Sequence, residues 1–298
     1  MNLIRIPFLT VCLISLRGFS GEIRPLDDGW RFFQGDVSGA EQASFDDSQW
    51  RKLDLPHDWS IAGPFSKTNK TGGAGAWLPF HGLLARKFEV LAPDHPGFGG
   101  SDDLPEVEGV DDLVYHYLDV LDRLGLERVA VVGGSLGGWI GAELAVHSPE
   151  RIEQLALLGA AGLRIPGHMA TDLFLMTPEQ VVATLYKHPE AAAGSFPEEP
   201  DVDFILGMYR DMAGLARYGW APYLSNPKLE RRLHRITAPT VVLWADDDRV
   251  IPIEHGRRYA ERIPGATLRV IEDCGHAMYF ERPEAFADAV SEFVEAAA

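Results

Sequence analysis

Cysteine is almost missing from this chain: Cys12 and Cys274 are the only two among 298 residues. No CxxC or Cys/His ligand spacing occurs, which argues against a zinc site or a redox motif. Were the N-terminus removed by processing, Cys274 would stand alone and no intrachain disulfide could form. Positive charge is also scarce. The 27 Lys and Arg residues face 44 Asp and Glu, a net charge of −17. A phosphate backbone would be repelled, so nucleic acid is excluded as the main partner. No uninterrupted apolar run approaches the ~20 residues that a membrane helix needs, so no stable membrane span is expected.

What is present is ordinary for a globular chain, with 46% hydrophobic and 24% charged residues and enough length for one large domain or two small ones. The first stretch, "MNLIRIPFLTVCLISLRGFSG", reads as an export leader over residues 1–20. Arg5 precedes an apolar run from Ile6 to Leu16, and Gly18-Phe19-Ser20 offers small residues for cleavage. An exported, periplasmic or secreted protein follows from that reading. The plainer alternative is that the run is an ordinary buried strand or helix of a cytoplasmic chain.

From about residue 76 onward, strands and helices alternate. "FEVLAP" (88–93), "RVAVVGG" (128–134), "IEQLALLGA" (152–160), "TVVLWA" (240–245) and "TLRVIED" (267–273) are short apolar runs with strand character. Leu113, Tyr117, Val120, Leu121 and Leu124 recur at helical spacing, and Gly125 stands where that helix should stop. "WIGAELAVH" (139–147) and "PEAFADAVSEFV" (283–294) also read as helices. The pattern predicts an α/β fold, a mostly parallel sheet with helices on both faces. Residues 163–235 break the alternation. They read as a helical insertion rich in large apolar side chains and are expected to cap the site; plain helical core is the alternative.

Residues 21–71 have a different texture. "DDGWRFFQGD", "FDDSQW" and "RKLDLPHDWSIAGPF" are short aromatic-rich segments between Gly, Asp and Pro, which predicts antiparallel β structure. In the order "DGWRF", "LPHDWSI" and a following glycine-rich stretch, they resemble the start of the sugar-binding jelly-roll domain of family-2 glycoside hydrolases. About fifty residues match, and the barrel that carries that family's catalytic carboxylates is absent, so neither its activity nor its acid/base residues are carried over. The resemblance implies a fusion with a crossover near residues 72–80. The rival is that residues 22–70 build strands of the main sheet.

The chemistry-bearing motif is Gly133-Gly134-Ser135-Leu136-Gly137. A serine hydroxyl is a poor nucleophile until it is exposed on a tight bend beside a base, and flanking glycines let the backbone make that bend between strand and helix. A strand pattern precedes the motif and a helix pattern follows it. The base should come last in the chain, with its orienting acid between. "DCGHAMYFERPE" puts His276 just after the final strand. "WADDDRVIP" puts Asp246, Asp247 and Asp248 just past the strand before. Asp248 is preferred because it lies directly before "RVIP", and Asp247 is the fallback. His116, His147, His234 and His255 read as surface or structural.

"APDHPGFGGSD" (92–102), "GGSLGGW" (133–139), "LERRLHRITAPTVVLWADDDRVIP" (229–252) and "CGHAMYFERPEAF" (274–286) occur in the order found in the α/β-hydrolase superfamily, in its capped esterase-like branch. The resemblance covers about three quarters of the chain. It implies Ser135 as nucleophile, His276 as general base and then acid, Asp248 as imidazole orienter, and the Leu136 backbone N–H as one oxyanion donor. It implies no metal and no organic cofactor. The family's His-Gly loop after its third strand is missing from its usual place. His81-Gly82 falls where the family has a helix, which makes Gly73, within Gly72-Gly73-Ala74-Gly75, the candidate second oxyanion donor. Trp139, Phe174, Met208 and Trp220 are the candidate substrate contacts. The expected activity is hydrolysis of small to medium apolar carboxylic esters through an acyl-enzyme. Carbon–carbon bond hydrolysis is the alternative of the same fold; relatives of that kind often carry Trp directly after the base, where this chain has Ala277. A catalytically impaired chimera with residual carbohydrate binding is the alternative of another class. Asn69-Lys70-Thr71 fits a glycosylation sequon, relevant only in a eukaryotic secretory pathway.

Overall fold

The computed structural model describes residues 11–15, 30–32, 51–53, 78–99, 101–192 and 202–296. In chain order the elements are β1 (Val11–Ser15), β2 (Trp30–Phe32), β3 (Arg51–Leu53), α1 (Pro79–Leu84), β4 (Glu89–Leu91), α2 (Val110–Arg123), β5 (Val129–Gly134), α3 (Leu136–His147) and β6 (Ile152–Leu158). There follow α4 (Pro178–Leu185), α5 (Val202–Gly219), β7 (Thr240–Ala245), α6 (Ile253–Arg262), β8 (Thr267–Ile271), α7 (Met278–Glu281) and α8 (Pro283–Ala296).

Among the described residues six strands form the main sheet, in the order β4-β1-β5-β6-β7-β8. Strands β5 to β8 are parallel, joined through α3, the helical insert and α6. Every residue of β5 and of β7 is buried, as expected for parallel strands covered on both faces. Strand β8 closes one edge and is largely exposed; Arg269 on it pairs with Glu292 of α8 at 3.1 Å, a charged edge of the kind that discourages strand addition. Helix α2 buries Leu113, Tyr117, Val120 and Leu121 on one face. Its first turn is capped by Asp112, whose carboxylate accepts the N–H groups of Glu108 (2.9 Å) and Gly109 (3.1 Å).

Part of the apolar run read as an export leader is strand β1, inserted between β4 and β5 and antiparallel to both, with Leu13 opposite Leu91 on one side and Val131 on the other. A five-residue apolar run can serve either as a leader core or as a central strand, because both require side chains that tolerate burial. Strands β2 and β3 pair antiparallel with each other in a separate two-stranded sheet. Among the described residues, none of residues 22–70 joins the main sheet, so the slot between β4 and β5 is filled from residues 11–15 instead.

The insert between β6 and β7 contains α4, α5 and single turns at Leu173–Leu175, Pro189–Ala192 and Glu230–Arg235. Helix therefore occupies part of the described residues within 163–235, and the stretches 163–172 and 220–229 are irregular.

Deleting residues 1–20 removes β1 and leaves facing edges of β4 and β5 unpaired. The expected outcome is loss of soluble protein, or a fall in Tm of more than ~10 °C, given that each kcal/mol shifts Tm by roughly 2–4 °C at this size. A truncated chain melting within ~2 °C of the full-length one would show that the sheet does not depend on β1.

Candidate active site

Ser135 sits on the bend between β5 and α3 with φ 51° and ψ −114°. This backbone conformation is uncommon for a residue with a side chain and costs about 1–3 kcal/mol, held by its surroundings. The surroundings are visible: the Ser135 N–H donates to the Leu158 carbonyl at 2.9 Å, and its own carbonyl accepts from Trp139 (3.1 Å) and Ala161 (3.0 Å). Close approach explains the flanking glycines. A Cβ on Gly133 would lie 2.3 Å from the Gly137 carbonyl oxygen, and one on Gly138 would lie 2.6 Å from the Ala160 Cβ. The bend thus exists only because strand and helix touch backbone to backbone.

His276 lies in the loop after β8, and Asp248 in the loop after β7, both at the C-terminal ends of their strands. The His276 Nδ1 and the Asp248 Oδ2 are 2.8 Å apart, with side-chain exposures of 2% and 0%. The second Asp248 oxygen accepts the Val250 N–H at 3.0 Å and the Ile251 N–H at 2.8 Å. A buried carboxylate with both oxygens engaged holds the ring in one orientation. With Nδ1–H donating to it, Nε2 keeps its lone pair. The neighbouring acids are spent elsewhere. Asp246 accepts from Lys187 (2.8 Å) and from the Cys274 N–H (3.1 Å), and half-exposed Asp247 pairs with Arg249. Of the three aspartates, Asp248 is the one bonded to His276.

Ser135 and His276 are brought to one rim through Leu158-Gly159. Leu158 accepts the Ser135 N–H, and the next residue, Gly159, is left-handed at φ 48°, a backbone conformation that strains any side chain. A Cβ there would stand 3.1 Å from the Asp248 Oδ2 and 3.2 Å from the His276 Cε1. Leu136, buried as the first residue of α3, presents its N–H at the helix N-terminus beside the serine. Gly73 lies outside the described residues. His81 and Gly82 belong to α1, as the sequence predicts. His81 is fully buried, its pKa pushed down to about 3 by burial, and its Nδ1 accepts the Leu78 N–H at 3.2 Å.

The four candidate substrate contacts separate. Trp139 is committed to packing. Its indole N–H donates to Glu143 at 3.1 Å, and its ring covers Gly162, where a Cβ would meet it at 2.6 Å. Glu143 also accepts from Asn226 at 2.7 Å, and burial raises its pKa. Phe174 stacks edge-on with Trp220 (5.3 Å between centroids) and Tyr223 (6.1 Å), while Trp220 remains 56% exposed. Met208 is half-buried on α5. A residue without an assigned role in the sequence reading is Glu281, whose buried carboxylate accepts the N–H of Gly275, next to His276. A lone acid inside the apolar run "HAMYFE" was the available signal. Among the described residues no cluster of three or more His, Cys, Asp and Glu could hold a metal ion, and no helix is long and apolar enough to cross a membrane.

Residues 69–289 match the alpha/beta hydrolase family, and the chain belongs to that family. It is a hydrolase. The chain is 28% identical to a 2-hydroxy-6-oxo-6-phenylhexa-2,4-dienoate hydrolase of Burkholderia cepacia over 72% of this chain and 81% of that protein. It is 31% identical to a poly(3-hydroxyalkanoate) depolymerase of Ectopseudomonas oleovorans over 75% of this chain and 82% of that one. A meta-cleavage product hydrolase of Pseudomonas fluorescens has the same fold, with a TM-score of 0.60 over 73% of this chain and 83% of that one, at 24% identity.

Two outcomes test this geometry. Gly159→Ala adds a Cβ against Asp248 and His276 in a left-handed backbone, and is expected to cost about 1–3 kcal/mol in unfolding free energy. A stability within ~0.3 kcal/mol of wild type would contradict the packing. Cys274 is buried and its thiol is pushed up to about 12, by burial first and then by Glu281 and Asp246. It should resist iodoacetamide at pH 8 in the native protein and label on unfolding, as peptide mass spectrometry would record.

Proposed function

We propose that the protein hydrolyses carboxylic esters of small to medium apolar acids, through an acyl-enzyme on Ser135. The observation that carries the reading is the buried 2.8 Å contact between Asp248 and His276, on the rim where Ser135 is held on its strained bend. In the proposed sequence His276 Nε2 takes the hydroxyl proton as Oγ attacks the acyl carbon. The same imidazolium then protonates the departing alcohol. Water attacks the acyl-enzyme with His276 again as base. Asp248 fixes the tautomer and stabilises the imidazolium. The Leu136 N–H faces the developing oxyanion, and Gly73 is proposed as the second donor; one such donor is worth about 10²–10³ in rate.

The helical insert, with Phe174, Met208 and Trp220, is proposed as the cap that selects the acyl group. The junction near residues 72–80 belongs to the same proposal, supported by strands β2 and β3, which among the described residues pair with each other and not with the main sheet. A second reading, hydrolysis of a carbon–carbon bond in a dienoate, is favoured by the activity named for the Burkholderia cepacia relative. The depolymerase relative points the other way, since poly(3-hydroxyalkanoate) is joined by ester bonds. Ala277, directly after the base and fully buried, adds modest weight to the ester reading.

Purified protein assayed on p-nitrophenyl butyrate, beside a 2-hydroxy-6-oxo-dienoate, separates the two. Ester turnover that Ser135→Ala lowers by ~10⁴-fold or more is the expected result. Asp248→Asn should lower kcat by about 10³–10⁴, while Asp247→Asn stays within about threefold. Turnover of the dienoate alone would favour the second reading. Equal rates for wild type and Ser135→Ala, with a sugar-dependent rise in Tm, would replace both by a non-catalytic carbohydrate binder.

A further inference from the structure

The loop that carries His276 is pressed onto the helical insert with no side chain between them. A Cβ on Gly275 would stand 2.6 Å from the Leu185 carbonyl oxygen and 2.7 Å from the Lys187 nitrogen. Backbone groups that meet this closely away from water must find hydrogen-bond partners. One pair satisfies itself: the Ala277 N–H donates to the Leu185 carbonyl at 2.9 Å. The N–H groups of Gly275 and His188 are taken by one carboxylate. Glu281 Oε2 accepts from Gly275 at 2.7 Å and Oε1 accepts from His188 at 2.8 Å, and the residue is only 8% exposed.

We infer that Glu281 is a positioning residue for His276, a carboxylate clamp that locks the base-bearing loop to the end of α4 by accepting one backbone N–H from each. The inference rests on the proposed role of His276 as general base. Two donors converging from two segments require two acceptor oxygens. A carboxylate supplies both, whereas a carboxamide must turn its NH₂ toward one of them. Bonds from N–H groups to an ionised acceptor are also among the stronger ones.

Charges on the outer side of the same seam repeat the pattern. Lys187 of the insert lies 2.8 Å from Asp246 and 3.5 Å from Asp273, and His188 Nε2 lies 2.9 Å from Asp273, which Arg282 also binds. These contacts are partly exposed and contribute little singly. The buried clamp is the member adjacent in sequence to the base. A base displaced by ~1 Å from its working position loses about 10²-fold in rate, so the clamp should be read in kcat rather than in substrate affinity.

The test is Glu281→Gln in the full-length chain, assayed on whichever substrate the wild type turns over. The expected result is a kcat reduced about 10–100-fold with KM within about threefold. Amide exchange at Gly275 and His188 should quicken at least ~10-fold, with the amides of β5 to β7 unchanged. If Glu281→Gln does not fold, Glu281→Asp carries the test, because it keeps the charge but is one methylene too short to reach both amides; the same loss of kcat is expected. A folded variant of either kind with wild-type kcat, or with Gly275 and His188 exchanging as in wild type, overturns the inference. Ser135→Ala keeps the two readings apart. If it matches wild type, the catalytic reading has failed, while amide exchange still decides whether the clamp exists. If it is inactive and Glu281→Gln is fully active, the clamp alone has failed.

Discussion

The hydrogen bond from His276 to Asp248 rests on how fully the carboxylate is buried and satisfied. Asp248 is wholly shielded from water, and its remaining oxygen is occupied by two backbone N–H groups of its own loop. A buried carboxylate left with a free oxygen would be costly. Here the same two bonds that satisfy it also shape the turn leading into α6. The position of the imidazole is therefore a by-product of satisfying an acid. A bare Gly159 lets that contact form without displacing either partner, and Leu158 beside it holds the serine bend. Three loops from three strand ends are thus mutually dependent, and the chemistry proposed for them inherits that dependence.

Most of the α/β body could be read from local pattern. The runs at 128–134, 152–160 and 240–245 are strands because each is mainly apolar, the signature of burial on two faces. Helix α2 was legible because its apolar residues recur on one face. Helix α6 was not, since its sequence IEHGRRYAER is mostly polar and its buried face consists of His255, Gly256 and Tyr259. Gly256 fits beneath Trp244, where a Cβ would sit 2.6 Å from the ring. Small and titratable residues on a packed face carry no periodic hydrophobic signal.

The candidate site divides along a similar line. Order along the chain was enough to nominate Ser135, His276 and a cluster of three aspartates. The distinction among Asp246, Asp247 and Asp248 depends on where each carboxylate points, and that is settled by Lys187, Arg249 and His276, residues distant in sequence from one another. Trp139 is among the candidate substrate contacts, yet its indole is held by Glu143. Aromatic residues beside a motif belong to the packing of the bend as readily as to the substrate. Glu281 went without a role because accepting two main-chain N–H groups leaves no trace in composition or spacing.

Strand β1 has a consequence for how the molecule assembles. It lies ahead of both its partners in the chain, the segments around Leu91 and Val131, which leave the ribosome only after a long intervening stretch. Until those segments emerge this apolar stretch has no edge to pair with, and the slot that it closes is not yet formed. Closing it demands a chain reversal of high sequence separation, the slow and aggregation-exposed kind of contact. The centre of the sheet is therefore completed late, and the apolar strand that fills it waits longest for its partners.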